Sequence, residues 1–320
     1  MRILSGIQPS GLPHIGNYFG MMKPAVALQE KGEVFLFIAD YHSLTTSPSP
    51  EDLKKYIQEV AVDFLACGLD PKNTVFFRQS DVPQVTELTW ILNCVTSVGL
   101  LERAHSYKDK VAKGFVPNNG LFSYPVLMAA DILIYRSNIV PVGKDQKQHL
   151  EITRDIAQRF NSTYGEIFVV PDEQITENVA VIPGIDGQKM SKSYNNTIPI
   201  FGKEKDIKSR IMSIVTDSKG LNDPKDPDKC NVFALYSLFA DSHHQKKMRE
   251  NYHKGGYGYG HAKKELFELS WEYFGPLRRR REELQNDLGY VQEIIREGGE
   301  KARAVAELTM CDVRKAVGIR

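Results

Sequence analysis

Cysteine is scarce. The four residues, Cys67, Cys94, Cys230 and Cys311, stand far apart with no Cys-x-x-Cys spacing, so the pattern suggests neither a zinc framework nor a disulfide scaffold. Long apolar runs are also missing. No stretch approaches the ~18 residues of a membrane span. The start, Met1-Arg2-Ile3-Leu4-Ser5-Gly6, is interrupted at Gly6 and Pro9 before a secretory apolar region could form. A cytosolic (cytoplasmic) location with no membrane contact is expected. Neither charge sign is in excess: 41 Lys and Arg against 40 Asp and Glu leave a formal charge of +1, so any contact with RNA must come from local basic patches. Internal repeats and low-complexity tracts are absent. What is present is an ordinary globular composition of 320 residues, 42% hydrophobic, long enough for one large domain and a smaller one.

Apolar runs alternate with amphipathic stretches through the first 180 residues: 2–7 then 17–31, 34–39 then 51–67, 74–78 then 84–98. This βαβαβα rhythm predicts an α/β fold, a Rossmann-like doubly wound parallel sheet covered by helices. The largely polar segment 100–119, with Lys108, Lys110 and Lys113, reads as an insertion. The rhythm resumes with a helix over 124–136, a strand over 138–142 and a helix over 145–160. Beyond Lys192 only helices are expected, with 223–228 as a loop between two of them. This divides the chain into a catalytic domain over 1–194 and a smaller all-helical domain over 195–320, its last helix packing back on the first domain.

Two short motifs carry the chemistry. Gln8-Pro9-Ser10-Gly11 ends the first strand, and His14-Ile15-Gly16-Asn17 opens the following helix. That turn sets backbone N–H groups and a helix N-terminus at the carboxyl edge of the sheet, where open α/β folds bind phosphate. Gly16 lets the backbone approach a polyphosphate, and the side chains of His14 and Asn17 can donate to its oxygens. The second motif, Lys189-Met190-Ser191-Lys192-Ser193, arises by chance on the order of once in 10⁴ chains of this length. Its two lysines can neutralise charge developing on a leaving pyrophosphate, and the turn Asp186-Gly187 before them could act as a hinge. Together the motifs predict an ATP site built from two distant loops.

In the helix through 123–131, with Pro125 placed in its first turn, Tyr124, Met128 and Asp131 fall at i, i+4 and i+7 on one face. That face is either a core stripe ending in a surface carboxylate or the wall of a pocket. As a wall it offers polarisable packing for an aromatic ring and an acceptor for a donor-only N–H, which an indole would satisfy. At the turn Gly143-Lys144-Asp145-Gln146, Gly143 and Asp145 could bind a ribose hydroxyl, Asp145 alternatively being a plain helix cap, and Gln146 an α-amino or carboxylate group.

On residues 5–11, 14–17, 124–131, 143–149 and 189–193 the chain resembles the class I aminoacyl-tRNA synthetases, and within them the bacterial-type tryptophan branch, over nearly its whole length. The resemblance implies an ATP-dependent, AMP-forming aminoacyl-tRNA ligase that couples L-tryptophan and tRNA(Trp). It assigns Gln8, Pro9, Ser10, Gly16 and Asn17 to ATP, with Gly143, Lys144 and Asp145 on the adenosine side. Asp131 would bind the indole N–H, and Tyr124, Met128 and Gln146 would complete the amino-acid pocket. Lys189, Met190, Ser191, Lys192 and Ser193 would form a mobile catalytic loop, with Ile182, on the strand before it, touching adenine through its backbone. His14, Asn17, Lys189 and Lys192 would be the catalytic set. ATP would enter with Mg²⁺, no metal being held by protein ligands. A homodimer is implied, one tRNA touching both subunits and the helical domain reading the anticodon. Two positions depart from the family pattern: His14, where Thr is frequent, and Lys144, where an acidic residue is frequent. Asp40-Tyr41-His42 resembles a family segment lining the site, although a structural histidine fits equally.

In the helical part, Arg278 to Arg281 point in all directions around a helix. The pairs Arg278–Glu282 and Arg279–Glu283 are expected at i,i+4, favouring a solvated face over an RNA patch. The glycine-rich run 255–260 lacks the strand that a dinucleotide fingerprint needs and reads as a flexible connection. Alternative readings are the sister tyrosine enzyme, a nucleotidyltransferase acting on a small cofactor precursor, and a catalytically silent RNA-binding relative.

Overall fold

The computed structural model describes residues 1–104, 114, 118–143, 146–175 and 182–319. Five strands, β1 (Arg2–Ile7), β2 (Glu33–Ile38), β3 (Thr74–Arg78), β4 (Ile139–Val142) and β5 (Asp172–Ile175), form one sheet in the order β3-β2-β1-β4-β5. Every pairing is parallel, with Leu4 opposite Phe35 and Phe35 opposite Val75. The run Glu-Val-Phe-Leu-Phe-Ile in β2 is buried from its second residue onward, as expected of a parallel strand covered on both faces. The winding direction reverses between β1 and β4. In sheets of this order the crevice beyond the carboxyl ends of those two strands is the natural ligand site.

Helix boundaries follow local caps. Ser49 accepts from the Asp52 N–H and Pro50 takes the first position of the helix Pro50–Ala66, where its missing N–H costs nothing. The helix Asn119–Ile134 starts at the Asn118 cap, whose side chain accepts from the Leu121 N–H at 2.7 Å. This corrects the placement of Pro125: it lies in the helix interior, not in a first turn. The cap upstream of the expected start set the boundary, and the preceding polar stretch hid it.

The helices Glu204–Met212, Asn231–Tyr236, Ser242–Lys254, Tyr259–Tyr273 and Gly275–Asn286 follow the sheet. They share a core with it, one apolar cluster running from Ile15 and Phe64 to Phe233 and Leu266. The final helix, Leu288–Val317, lies on β3. A methyl group added to Gly298 would stand 1.8 Å from the Phe76 carbonyl oxygen, so helix backbone and strand are in direct contact, with Ala302 and Ala306 fully buried beside it.

Two expectations for the helical part change. Gly255, at φ +75°, abuts the Asn222 carbonyl, and the Gly256 N–H donates to Leu221, so this run is a packed corner and not a loose connection. Two of the arginines engage tertiary partners, Arg278 stacking 3.4 Å over the Trp271 ring and Arg281 binding Asp63 at 2.6 Å, while Arg280 pairs with Glu283 at 2.9 Å within its own helix. Spacing along one helix identified the local partners available but carried no information about the neighbouring helices that supplied better ones.

Candidate active site

The first loop leaves β1 at the switch point. His14 caps the turn Ile15–Asn17: its Nδ1 accepts from the Asn17 N–H at 3.2 Å, while Asn17 Oδ1 accepts from the His14 N–H at 3.2 Å. The arrangement fixes the ring proton on Nε2 and leaves Asn17 its Nδ2 amide as a donor. Burial, and then the charge of Lys192, lower the His14 pKa to about 4. His14 therefore offers a neutral N–H at physiological pH, suited to an anionic oxygen. Gly16 is packed beneath the second loop, a Cβ there meeting the His14 ring at 3.0 Å and Met190 at 3.3 Å.

The second loop is a tight hairpin. The Met190 N–H donates to the Ile182 carbonyl at 2.9 Å and the Gly184 N–H to the Gln188 carbonyl at 2.7 Å, with Gly187 at φ +82°. Ile182 is buried and lies outside any strand, directly before the isolated pairing of Pro183 with Lys189, which corrects the expected element. The Asp186-Gly187 turn is present, and Asp186 Oδ1 accepts from the Gln188 N–H at 3.0 Å and from Asn196 Nδ2 at 2.8 Å. Lys189, Ser193 and Ser10 are exposed, whereas Pro9 and Met190 are buried and Ser191 is half-buried. Lys192 reaches back to the first loop, its Nζ donating to the carbonyls of Ser10 at 2.6 Å and Gly11 at 2.8 Å. Burial lowers the Lys192 pKa, while Asp63 and Glu59 oppose the shift. Beyond the hairpin the chain runs antiparallel to the first loop, with the Ile15 N–H on Ile198 at 3.0 Å and the Ile200 N–H on Pro13 at 3.3 Å. Between the two motifs lies a cavity of about 340 Å³ whose walls include His14 and Lys192.

A second cavity, of about 490 Å³, opens at the switch point itself and gathers Gln8, Tyr124, Met128, Asp131, Gly143 and Gln146. Asp131 is therefore no helix-surface carboxylate. It is 2% exposed and held by two donors, His42 Nε2 at 2.8 Å and Gln79 Nε2 at 2.8 and 2.9 Å. Burial raises its pKa, and the bonds from His42 and then Gln79 oppose that rise. The result is an oriented acceptor in a cavity that also presents apolar side chains, among them Phe37, Met128 and Ile132. The Tyr124 hydroxyl meets His149 Nε2, and the Gly143 carbonyl accepts the Gln146 N–H at 2.9 Å. Lys144 and Asp145 lie outside the described residues. His42, readable either way from sequence, is at the cavity. Gln79 was missed; its one signal is its place directly after β3, on the edge that also supplies Gln8 and Gly143. Among the described residues no group of His, Cys, Asp or Glu could hold a metal ion.

A model of the tRNA synthetases of class I (W and Y) matches residues 1–275. The tryptophan–tRNA ligase of Fusobacterium nucleatum is 54% identical over 319 residues, 99% of this chain and 98% of that protein. The corresponding ligase of Rhodopirellula baltica is 53% identical over the full length of both. A solved structure of tryptophanyl-tRNA synthetase from Campylobacter jejuni, complexed with ADP and tryptophan, superposes with a TM-score of 0.95 at 53% identity, covering 99% of this chain and 100% of that one. The Mycoplasma pneumoniae enzyme matches at 0.83 and 30% identity, covering 100% and 98%. With two signature loops joined across the switch point and agreement along its whole length, the chain belongs to the class I tRNA synthetases of the tryptophan and tyrosine group.

Proposed function

We infer that this chain is an ATP-dependent tryptophan–tRNA ligase. One tryptophan carboxylate oxygen attacks the α-phosphorus of ATP, the bond to the bridging oxygen breaks, and pyrophosphate leaves. The tryptophanyl-adenylate then passes its acyl group to a ribose hydroxyl of the tRNA 3′ adenosine, releasing AMP. No protein nucleophile is needed, so catalysis rests on in-line positioning and charge neutralisation. The observation that carries the reading is the buried Asp131 carboxylate, fixed by His42 and Gln79 at the wall of the 490 Å³ cavity. An indole N–H has no acceptor character and pairs with such a group, while Met128 supplies polarisable contact to the ring.

In the same reading the polyphosphate of ATP, entering as its magnesium complex, lies in the 340 Å³ cavity between the loops. The His14 Nε2–H and Asn17 Nδ2 address its oxygens, and Lys192 exchanges the Ser10 and Gly11 carbonyls for phosphate as charge develops. In this reading Gly143 serves the nucleoside and Gln146 the α-amino or carboxylate group of the amino acid, both residues lining the 490 Å³ cavity. The working form is a homodimer in the cytoplasm. Trp90 and Leu308, 70% and 71% exposed on the contacting helices Gln84–Val95 and Leu288–Val317, suit a surface covered by a second copy. The test is charging of total bacterial tRNA with labelled amino acid. Acid-precipitable label with tryptophan and none with tyrosine supports the assignment; label with tyrosine, or with neither, overturns it.

A further inference from the structure

The residue that closes the lysine loop stands outside both motifs. Asn196 is 1% exposed. Its Oδ1 accepts the Ser191 N–H at 2.7 Å, and its Nδ2 donates to Asp186 Oδ1 at 2.8 Å and to the Lys189 carbonyl at 3.1 Å. Its own carbonyl accepts the Ile185 N–H at 2.9 Å. One amide thus grips the hairpin before, at and just after Lys189, and its last attachment is the residue next to Lys192. Gly184 is shaped by the same contact, because a Cβ there would stand 2.4 to 2.6 Å from Asn196.

The chain just beyond Asn196 is tied down as well. Residues 198 and 200 pair with the first loop through Ile15 and Pro13. Asn196 is therefore the junction at which the hairpin carrying the lysines is joined to the segment that runs beside His14. A lysine side chain is long and rotamer-rich, so the position of its charge depends on how firmly its backbone is held. Misplacing a catalytic group by 1 Å can cost about 100-fold in rate.

We propose that Asn196 is a positioning residue for the activation step: it touches no substrate, and it sets where Lys189 and Lys192 stand relative to the leaving pyrophosphate. This rests on the ligase reading above. Exchanging Asn196 for Asp keeps its size and its acceptor toward Ser191, but removes both donors and sets a carboxylate against Asp186. Adding Asp186→Asn removes the repulsion between the two carboxylates and restores a donor between positions 186 and 196, at the expense of the bond that Asp186 Oδ1 accepts from the Gln188 N–H at 3.0 Å, so recovery is partial.

The experiment measures tryptophan-dependent ATP–pyrophosphate exchange for wild type, Asn196→Asp and Asn196→Asp with Asp186→Asn. Tryptophan binding by equilibrium dialysis and thermal midpoints are recorded for each. The expected result is a kcat lower by about 100-fold in the single variant, with tryptophan binding and KM for tryptophan unchanged, and at least about tenfold recovered in the double variant. An unchanged kcat, or a loss shared equally by tryptophan binding, overturns the proposal, as does absence of recovery in a double variant that melts like wild type. If Asn196→Asp does not fold, Asp186→Ala at the exposed end of the brace takes its place: a several-fold kcat loss is then expected, and no loss overturns the proposal. Wild-type protein silent with tryptophan would contradict the ligase reading itself, which these variants do not address.

Discussion

A neutral histidine in the first loop has a direct spectroscopic consequence. With Nδ1 occupied by the Asn17 N–H and the pKa lowered to about 4, chiefly by burial, His14 should be an Nε2–H tautomer that does not titrate between pH 5.5 and 8. Long-range ¹H–¹⁵N spectra, assigned with His14→Gln, check this; a midpoint near 6.5 would contradict it. The same shift fixes the sign for stability. The unfolded chain binds a proton here below about pH 6.5 and the folded chain only near pH 4, so the contribution of His14 is intact above 6.5 and is lost as pH falls toward 4. Asp131 carries the second prediction at this scale. Asp131→Ala removes an acceptor and strands the His42 and Gln79 donors. A hydrogen bond to a charged group contributes roughly 1.5–3 kcal/mol, so kcat/KM for tryptophan should fall roughly 10- to 150-fold in exchange assays, with KM for ATP little changed. An equal loss toward ATP would place the residue elsewhere in the mechanism.

Among the elements, the final helix makes the sharpest claim. In an exposed helix Gly→Ala stabilises by about 1 kcal/mol, but at Gly298 the added methyl meets the Phe76 carbonyl at 1.8 Å. Gly298→Ala should therefore destabilise by about 3 kcal/mol, read as a lowered denaturant midpoint, and a raised midpoint would refute the contact. Elements also show what the sequence could reveal. The alternation of apolar runs identified the parallel sheet, because a strand buried on both faces must be continuously apolar. The i, i+4, i+7 spacing put Tyr124, Met128 and Asp131 on one face, and that face lines the cavity. Partners from other elements left no such trace: Gln79 and Asn196 occupy no periodic pattern, and their roles arise only when β3 and the hairpin stand beside Asp131 and Lys189.

Over the whole molecule, a helix that follows β2 and one of the later helices are joined by a buried ion pair. Arg281, on the helix Gly275–Asn286, binds Asp63 on Pro50–Ala66, and the other Asp63 oxygen is buried without a partner among the described residues. Burial raises the Asp63 pKa to about 6 against the pull of Arg281. The folded chain thus holds a proton there at a pH where the unfolded chain has lost it, so the contribution of Asp63 to stability is complete below about pH 3.8 and declines as pH rises through 6. Arg281→Ala leaves the carboxylate uncompensated and should cost about 3–5 kcal/mol at pH 7.5. The penalty should shrink at pH 5, where Asp63 takes up a proton; urea titrations at both values decide, and a pH-independent penalty would contradict this electrostatic account.

At the centre of the account, one molecule joins an indole-reading carboxylate to a two-loop ATP site. The most direct measurement is ATP–pyrophosphate exchange with each of the twenty amino acids, repeated with Lys192→Ala. Exchange with tryptophan alone, reduced about 100-fold or more in the variant, is the predicted result. Exchange with another amino acid, or undiminished exchange without the Lys192 ammonium, would contradict it.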